Sequence, residues 1–547
     1  MKRALTIIIF LAVSLCAYAG PNQQELESYQ VLVPDWSKTS GGESPALSPD
    51  GKTLVYISQD KIWVLSDLDK YILPSEHSSS PPRIPEPWQL DVKLSDTADE
   101  SLPVTIIRYE GGSGLRDVDW SLDGKRVAFI YQGRLFMAED IDPKAKSAKT
   151  RMLADVTIWK HGENKTDYEG RPLESPRCSP DGTKIAFVRP SDTIGPVSYI
   201  SVLDLKSGKE TVVAKDAMDG PNTWGQPWSP DSRSLVYSSM SINPDGKTAV
   251  RGGISMVHVD EGIPRKLIDE SETYSPSWSP GGDKLAFVMP YEDEGISAIF
   301  PGVYISDVEG ENRRPVAMYT PSKDETAVAM AEMRSRLQKV LKEQYPGVYT
   351  EDQLKRFTKE DVTDNEVMCI LMTAAAISEA KTIGGEFQKQ IESDMKEYAA
   401  GNIGEDFPPC VTASELIYSL PEEKREPINK KMNTALMDAI QPLYWLKARM
   451  DMSPVWSPDG KKLAFVRWDV TQGKKQLLSV DVEKDKASVL FEESSISNPT
   501  WTRDGNAMVV VSSRNLAYKR SDINLTGLWP EFITMPSYPE IWLIEPK

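Results

Sequence analysis

The chain has 547 residues and a formal charge of −18 at neutral pH, with 26% charged and 40% hydrophobic residues. That balance excludes a disordered polymer, and the negative charge argues against a nucleic-acid ligand, because an acidic surface repels a phosphate backbone. The length exceeds the roughly 100–200 residues of one ordinary domain, unless repeated units each add their own share of core.

The chain opens with a targeting pattern. Lys2 and Arg3 form a basic start, Ala4 to Leu15 is a short apolar run, and Ala17-Tyr18-Ala19 is a small-residue cleavage site. The expectation is a signal peptide over 1–19, cleaved after Ala19, and a periplasmic or secreted product of charge −20 once Lys2 and Arg3 are gone. A retained anchor is disfavoured by the length of the run. Lipidation at Cys16 is disfavoured by Leu15, where a small residue is needed. No later stretch is long and apolar enough for a membrane span, so no integral membrane segment is expected after signal removal.

A repeated pattern follows. Trp456-Ser457-Pro458-Asp459-Gly460 precedes Leu463-Ala464-Phe465. The same order recurs from Leu47 with Asp50, Trp120 with Asp123, Cys178 with Asp181, Trp228 with Asp231, Trp278 with Gly281, and Trp501 with Asp504. In Ser-Pro-Asp-Gly, proline fixes φ, aspartate caps the turn with its side chain, and glycine takes the positive-φ position. An apolar residue before the turn and a β-branched or aromatic run after it make a hairpin. Third and fourth strand-like runs follow, such as Tyr199–Val202 and Thr211–Val213. Four strands per unit, repeated radially, read as a propeller blade. Asp181 to Asp231 is 50 residues and Asp459 to Asp504 is 45, both blade-sized.

The fold expected is all-β: a seven-bladed propeller, or alternatively six-bladed with one degenerate copy, carrying an α-helical insertion. Blades one to five are expected over 26–319 and blades six and seven over 450–547. The last blade ends on its third strand, Ile541–Ile544, and Tyr29–Val33 is expected to supply the fourth and close the ring. These motifs resemble the WD40-like repeat of the TolB propeller family. The resemblance implies fold far more than function, since the same repeats occur in TolB-like periplasmic proteins and in the propeller domains of prolyl-oligopeptidase-like and tricorn-like peptidases. TolB itself resembles an α/β N-terminal domain joined to a six-bladed propeller. Here the first repeat begins at Ser44, so that domain is not expected and a direct role in the Tol system is in doubt.

The gap from Pro280 to Pro458 is 178, one blade and roughly 130 residues more. Within 320–449 the pattern turns helical: Met330, Met333, Leu337, Val340 and Leu341 follow helical spacing. Thr350 with Gln353, Thr363 with Glu366, and Ser419 with Glu422 read as capping boxes. Cys369 and Cys410 lie in this insertion and are candidates for a disulfide in an oxidising compartment, with their geometry open. Long connections at 157–172 and 515–538 are expected to share a propeller face with the insertion, and binding loops sit on rigid scaffolds. The helices either form a recognition surface or merely cap the ring.

No nucleophile elbow, P-loop, dinucleotide fingerprint or calcium loop is present in the sequence. His77, His161 and His258 lie in different segments, which does not make a metal set, so neither metal nor cofactor is expected. His161 is a candidate binding residue because its loop should reach the decorated face. Five residues before the proline position of each motif stand Ser44, Asp117, Ser175, Gly225, Ser275, Ser453 and Asn498. This small polar set either lines a wet channel or reflects a strand-start preference. The function expected is a protein- or polymer-binding scaffold in the cell envelope. A glycan lyase or a peptidase-like propeller gate is the alternative.

Overall fold

The computed structural model describes residues 29–33, 43–59, 61–68, 86–90, 105–106, 115–160 apart from 143 and 145, 168–191, 197–218, 225–242, 249–293, 296–357, 364–383, 389–390, 393, 408–447, 449–470, 473–512 and 540–544. The expected signal peptide over 1–19, the connection 515–538, His77, His161 and Thr363 lie outside these residues.

After β1 (Tyr29–Val33), the first sheet comprises β2 (Glu43–Leu47), β3 (Leu54–Ser58), β4 (Lys61–Leu65) and β5 (Trp88–Gln89), paired in that order. β6 (Thr105–Ile106) leads to β7 (Leu115–Trp120), β8 (Arg126–Tyr131), β9 (Arg134–Asp142) and β10 (Ser147–Ala154), again in order. β11 (Thr157–Lys160) and β12 (Tyr168–Arg171) join β6 in a small sheet between units. The next unit is β13 (Glu174–Cys178), β14 (Lys184–Pro190), β15 (Val197–Asp204) and β16 (Glu210–Met218). A single pair, Ala217 with Ser239, joins it to β17 (Ser234–Ile242), β18 (Ala249–His258) and β19 (Pro264–Ile268). Then come β20 (Tyr274–Trp278), β21 (Lys284–Asp293), β22 (Ile296–Asp307) and β23 (Arg314–Pro315).

Among the described residues, five helices interrupt the pattern: α1 (Lys323–Gln344), α2 (Glu351–Arg356), α3 (Asp364–Ile383), α4 (Pro408–Ser419) and α5 (Glu422–Lys447). The strands resume with β24 (Arg449–Trp456), β25 (Lys462–Asp469), β26 (Lys474–Asp481) and β27 (Lys486–Glu493), followed by β28 (Ile496–Trp501), β29 (Met508–Ser512) and β30 (Glu540–Ile544). β1 pairs antiparallel with β30, Tyr29 opposite Ile544, so the two ends of the chain share one sheet.

Burial follows the two-residue period of strands packed on both faces. In β3, Val55 and Ile57 pack with Trp120, Val127 and Phe129 of the following unit. Leu54 and Tyr56 point the other way, onto Val509, Val511 and Leu543 of the last sheet. Each apolar layer therefore lies between two sheets. The first strands follow one another around the molecule, β2 beside β7, β7 beside β13, β20 beside β24, β24 beside β28, and β28 beside β2.

The helices have a separate core, including Met333, Leu337, Leu341, Phe357, Leu371 and Leu416. α1 starts on a capping box, in which the Ser322 hydroxyl accepts from the Glu325 N–H and the Glu325 carboxylate accepts from the Ser322 N–H. Thr350 and Gln353 cap α2 in the same manner. Ser419 does not cap α5. It closes α4, its hydroxyl donating to the Leu416 carbonyl, while the Pro421 carbonyl accepts from Lys424 at the start of α5.

Candidate functional site

The motif turns are built alike. The Ser457 hydroxyl donates to Asp459 Oδ1 at 2.7 Å and accepts from the Lys462 N–H at 2.9 Å, while Asp459 Oδ1 also accepts from the Lys461 N–H at 3.1 Å. Gly460 stands at φ 70°, which a residue with a Cβ adopts only at a cost. Asp50, Asp123, Asp181, Asp231 and Asp504 repeat the hydroxyl–carboxylate bond at 2.5–2.7 Å. In the fifth motif Asp283 substitutes from two residues later, accepting from the Ser279 hydroxyl at 3.0 Å.

That hydroxyl bond is the main reason why Asp231, Asp459 and Asp504 titrate below the ordinary carboxylate range. Burial works against this at Asp50, Asp123 and Asp181, but the hydroxyl, backbone and cation contacts outweigh it and the direction is the same.

The turns also touch in sequence. A Cβ on Gly124 would stand 3.7 Å from the Pro49 ring, one on Gly282 3.4 Å from Pro230, one on Gly460 3.8 Å from Pro280, and one on Gly505 3.7 Å from Pro458. Elsewhere polar bonds make the link: Arg126 donates to the Gly182 carbonyl at 2.8 Å, and the Asp181 N–H to the Ser232 hydroxyl at 3.0 Å. Arg503 takes the proline place in the last turn and donates to the Pro49 carbonyl at 3.3 Å, which joins the last turn to the first.

The motif tryptophans make a second set of links. Each indole N–H donates backwards, to a first-strand carbonyl of the preceding unit: Trp120 to Ala46 at 2.9 Å, Trp228 to Arg177 at 2.9 Å, Trp456 to Ser277 at 3.2 Å and Trp501 to Val455 at 3.2 Å. Trp278 is the exception, its buried Nε1 having no hydrogen-bond partner. Where Cys178 replaces tryptophan, its backbone N–H donates to Asp119 Oδ2 of the unit before at 2.7 Å. Burial pushes the Asp119 carboxyl up, against the pull of Arg177 and this N–H.

Ser44, Asp117, Ser175, Ser275, Ser453 and Asn498 share one backbone feature. All six have positive φ, between 48° and 56°, and each sits where the pairing of its first strand slips by a residue. They are bulge residues, and the small polar types tolerate the left-handed conformation better than branched ones. Two of the bulges are linked, the Ser175 N–H donating to Asp117 Oδ2 at 3.0 Å, while the Ser275 N–H donates to the Ser238 hydroxyl of β17 at 3.1 Å. Their spacing was readable in the sequence; their conformation was not, since a following proline favours negative φ in the residue before it. Gly225 takes no positive φ and belongs to a segment without a regular first strand.

One cluster was not anticipated. At the start of β24, Arg449 lies opposite Asp469 and Asp451 opposite Arg467 on β25. Arg467 binds Asp451 with two bonds, at 2.7 and 2.8 Å, and donates to the Ala317 carbonyl at 2.7 Å. Arg449 pairs with Asp469 at 2.8 Å and lies 4.6 Å from the centre of the Tyr319 ring. All four charged residues are buried. Burial pushes the Asp451 carboxyl up and Arg467 opposes it. Ala317 and Tyr319 precede α1, and Arg449 and Asp451 follow α5, so the cluster holds both roots of the helical segment. The alternation of opposite charges across 449–451 and 467–469 was the signal available in the sequence.

Cys369 is half-buried on α3, which packs against α4, where Cys410 lies. The Cys410 side chain is outside the described residues, as is His161.

Comparison with known proteins agrees with the repeats. The family model of the lipoprotein LpqB β-propeller domain matches residues 442–525. The Tol-Pal system protein TolB of Hydrogenovibrio crunogenus is 30% identical over 114 residues, 21% of this chain and 23% of that one. A probable dipeptidyl-peptidase 5 of Arthroderma benhamiae is 21% identical over 352 residues, 62% of this chain. The chain spans 42% of that protein's length. The crystal structure of TolB from Acinetobacter baumannii aligns over 78% of this chain and 64% of its own, at 13% identity and a TM-score of 0.33. The repeats of this chain are similar to those of TolB-like β-propeller proteins.

Proposed function

We propose that the protein is a seven-bladed propeller scaffold of the cell envelope that binds a protein partner on the face carrying its helices. The reading takes 1–19 as a cleaved signal peptide, 26–319 and 450–547 as the blades, and 320–449 as an insertion between the fifth and sixth. The chain of turn contacts and indole bonds supports the blade count.

The observation that carries the binding role is where the additions emerge. Strands alternate in direction within each sheet, so a connection that feeds a first strand leaves on the side opposite the Asp-Gly turns. The five helices and the small β6–β11–β12 sheet are connections of this kind. The helices also have a core of their own and exposed apolar residues in Tyr418 and Met437. No helix among the described residues is long and apolar enough to cross a membrane.

Affinity capture from envelope extract tests the reading, comparing the intact protein with a Tyr418→Asp, Met437→Asp variant of unchanged circular dichroism. Loss of a specific protein is expected, and an unchanged set of captured proteins would contradict a partner on this face. The likeness to the dipeptidyl-peptidase favours a second reading, a peptidase-type propeller. Turnover of peptides by the purified chain would support that one instead.

A further inference from the structure

Ala317, on the connection from β23 to the helices, has an unusual backbone. Its φ is 48°, and among the described non-glycine residues of positive φ it is the one without a polar side chain. Aspartate and asparagine offset that conformation with a local side-chain hydrogen bond, which alanine cannot make. Its surroundings therefore hold it there.

Two charged side chains of the sixth repeat do so. The Ala317 N–H donates at 3.1 Å to Oδ1 of Asp485, in the turn between β26 and β27. The Ala317 carbonyl accepts from Arg467 of β25 at 2.7 Å. Arg467 is itself fixed by both carboxylate oxygens of buried Asp451, whereas Asp485 is exposed. Arg314, three residues before Ala317, donates to the Val482 carbonyl of the same repeat. The Val316 N–H still donates to the Val303 carbonyl of β22 at 2.8 Å. The chain thus passes from the fifth repeat to the sixth at Ala317.

Beyond this point the apolar joint is narrow. The buried core of the helices comes from residues 329–443, and among the described residues Val470 is the one hydrophobic residue from outside 329–446 that packs against it. The two roots of the helices lie side by side, the Arg449 guanidinium 4.6 Å from the centre of the Tyr319 ring. The helices therefore stand on a two-stranded neck, and polar contacts at its base fix their direction.

We propose that Ala317 is a strained pivot for the helical segment, latched by Asp485 and Arg467. When the Asp485 bond opens, Ala317 relaxes to negative φ and the helices swing about their two roots while the sheets stay in place. The pivot belongs to the chain itself and does not depend on the proposed partner, whose docking on the helices would select one orientation.

Distances between two spin labels on the full chain test it. One label stands at Met437 in the helices and one at Ile263 beside β19, both exposed, each carried by a ketone-bearing residue so that the native cysteines remain. Asp485→Ala, which removes an exposed part of the latch, brings in a second distance with at least about three times its share in the unsubstituted protein. Adding Ala317→Gly lowers that share again at least about threefold, because glycine takes the left-handed conformation without the Cβ penalty. A general loosening of the neck would be worsened by glycine, so the opposite signs identify the pivot. An unchanged single distance in Asp485→Ala, or a share that Ala317→Gly raises or leaves alone, would overturn the proposal. Ala317→Gly alone decides the matter if Asp485→Ala fails to fold. Corrected for its intrinsic rate, the residue-317 amide then exchanges with solvent at least about threefold more slowly than in the unsubstituted protein. Equal or faster exchange would overturn the pivot.

Discussion

At the scale of single residues, stability depends on hydroxyls and indoles repeated around the molecule. Each motif aspartate is held below its ordinary pKa, so it contributes stability that is complete above about pH 4 and is lost as pH falls through the depressed folded value. Calorimetry across pH 2–6 should show that loss, and Asp459→Asn should flatten part of the acid slope. The tryptophans make a sharper comparison. Trp456→Phe strands the Ser277 carbonyl and costs about 1 kcal/mol beyond the loss of ring size. Trp278→Phe removes an N–H that bonds nothing, so its cost is smaller. Equal losses in urea melts would show that the indole bonds do not matter.

Elements come next, and here the sequence was partly legible. Ser-Pro-Asp-Gly marks a turn because each residue type has its own backbone preference, so the hairpins are local and readable. Ser44, Asp117 and their counterparts were readable as a register but not as bulges, because positive φ in a non-glycine residue is decided by the pairing on either side. The fourth repeat escaped for the same reason: Trp228 and Asp231 match the motif, yet Gly225 lacks the positive φ of its counterparts. In the root cluster the charge pairs of Arg449, Asp451, Arg467 and Asp469 were signalled by opposite charges across one hairpin, whereas their contacts with Ala317 and Tyr319 were not, because those residues reach the hairpin only when the helices fold back between them.

That cluster yields a prediction at its own scale. Arg467→Met leaves a buried Asp451 carboxylate without its partner and should cost about 3–5 kcal/mol. The double variant Asp451→Leu, Arg467→Met should recover most of it. Hydrogen exchange locates the effect: faster exchange should appear first at residues 317–325 and 447–451, the two roots of the helices. A loss spread evenly over all sheets would contradict a local anchoring role.

For the whole molecule, the apolar layers lie between sheets, so each unit lends one face to each neighbour. Such a ring has no independent segment to spare. Removing residues 1–33 takes away β1, exposes the edge of β30 and should lower the melting temperature of the entire sheet assembly, as seen by a single shifted calorimetric transition. The turns occupy one face and the helices emerge on the other, and the proposed scaffold role takes the helical face as the working side. Photo-crosslinking in envelope extract measures that asymmetry most directly, with the crosslinker placed at Tyr418 among the helices or at Leu122 among the turns, both exposed positions. A discrete protein adduct from position 418 and none from 122 is the predicted result. Adducts from 122 alone would contradict it.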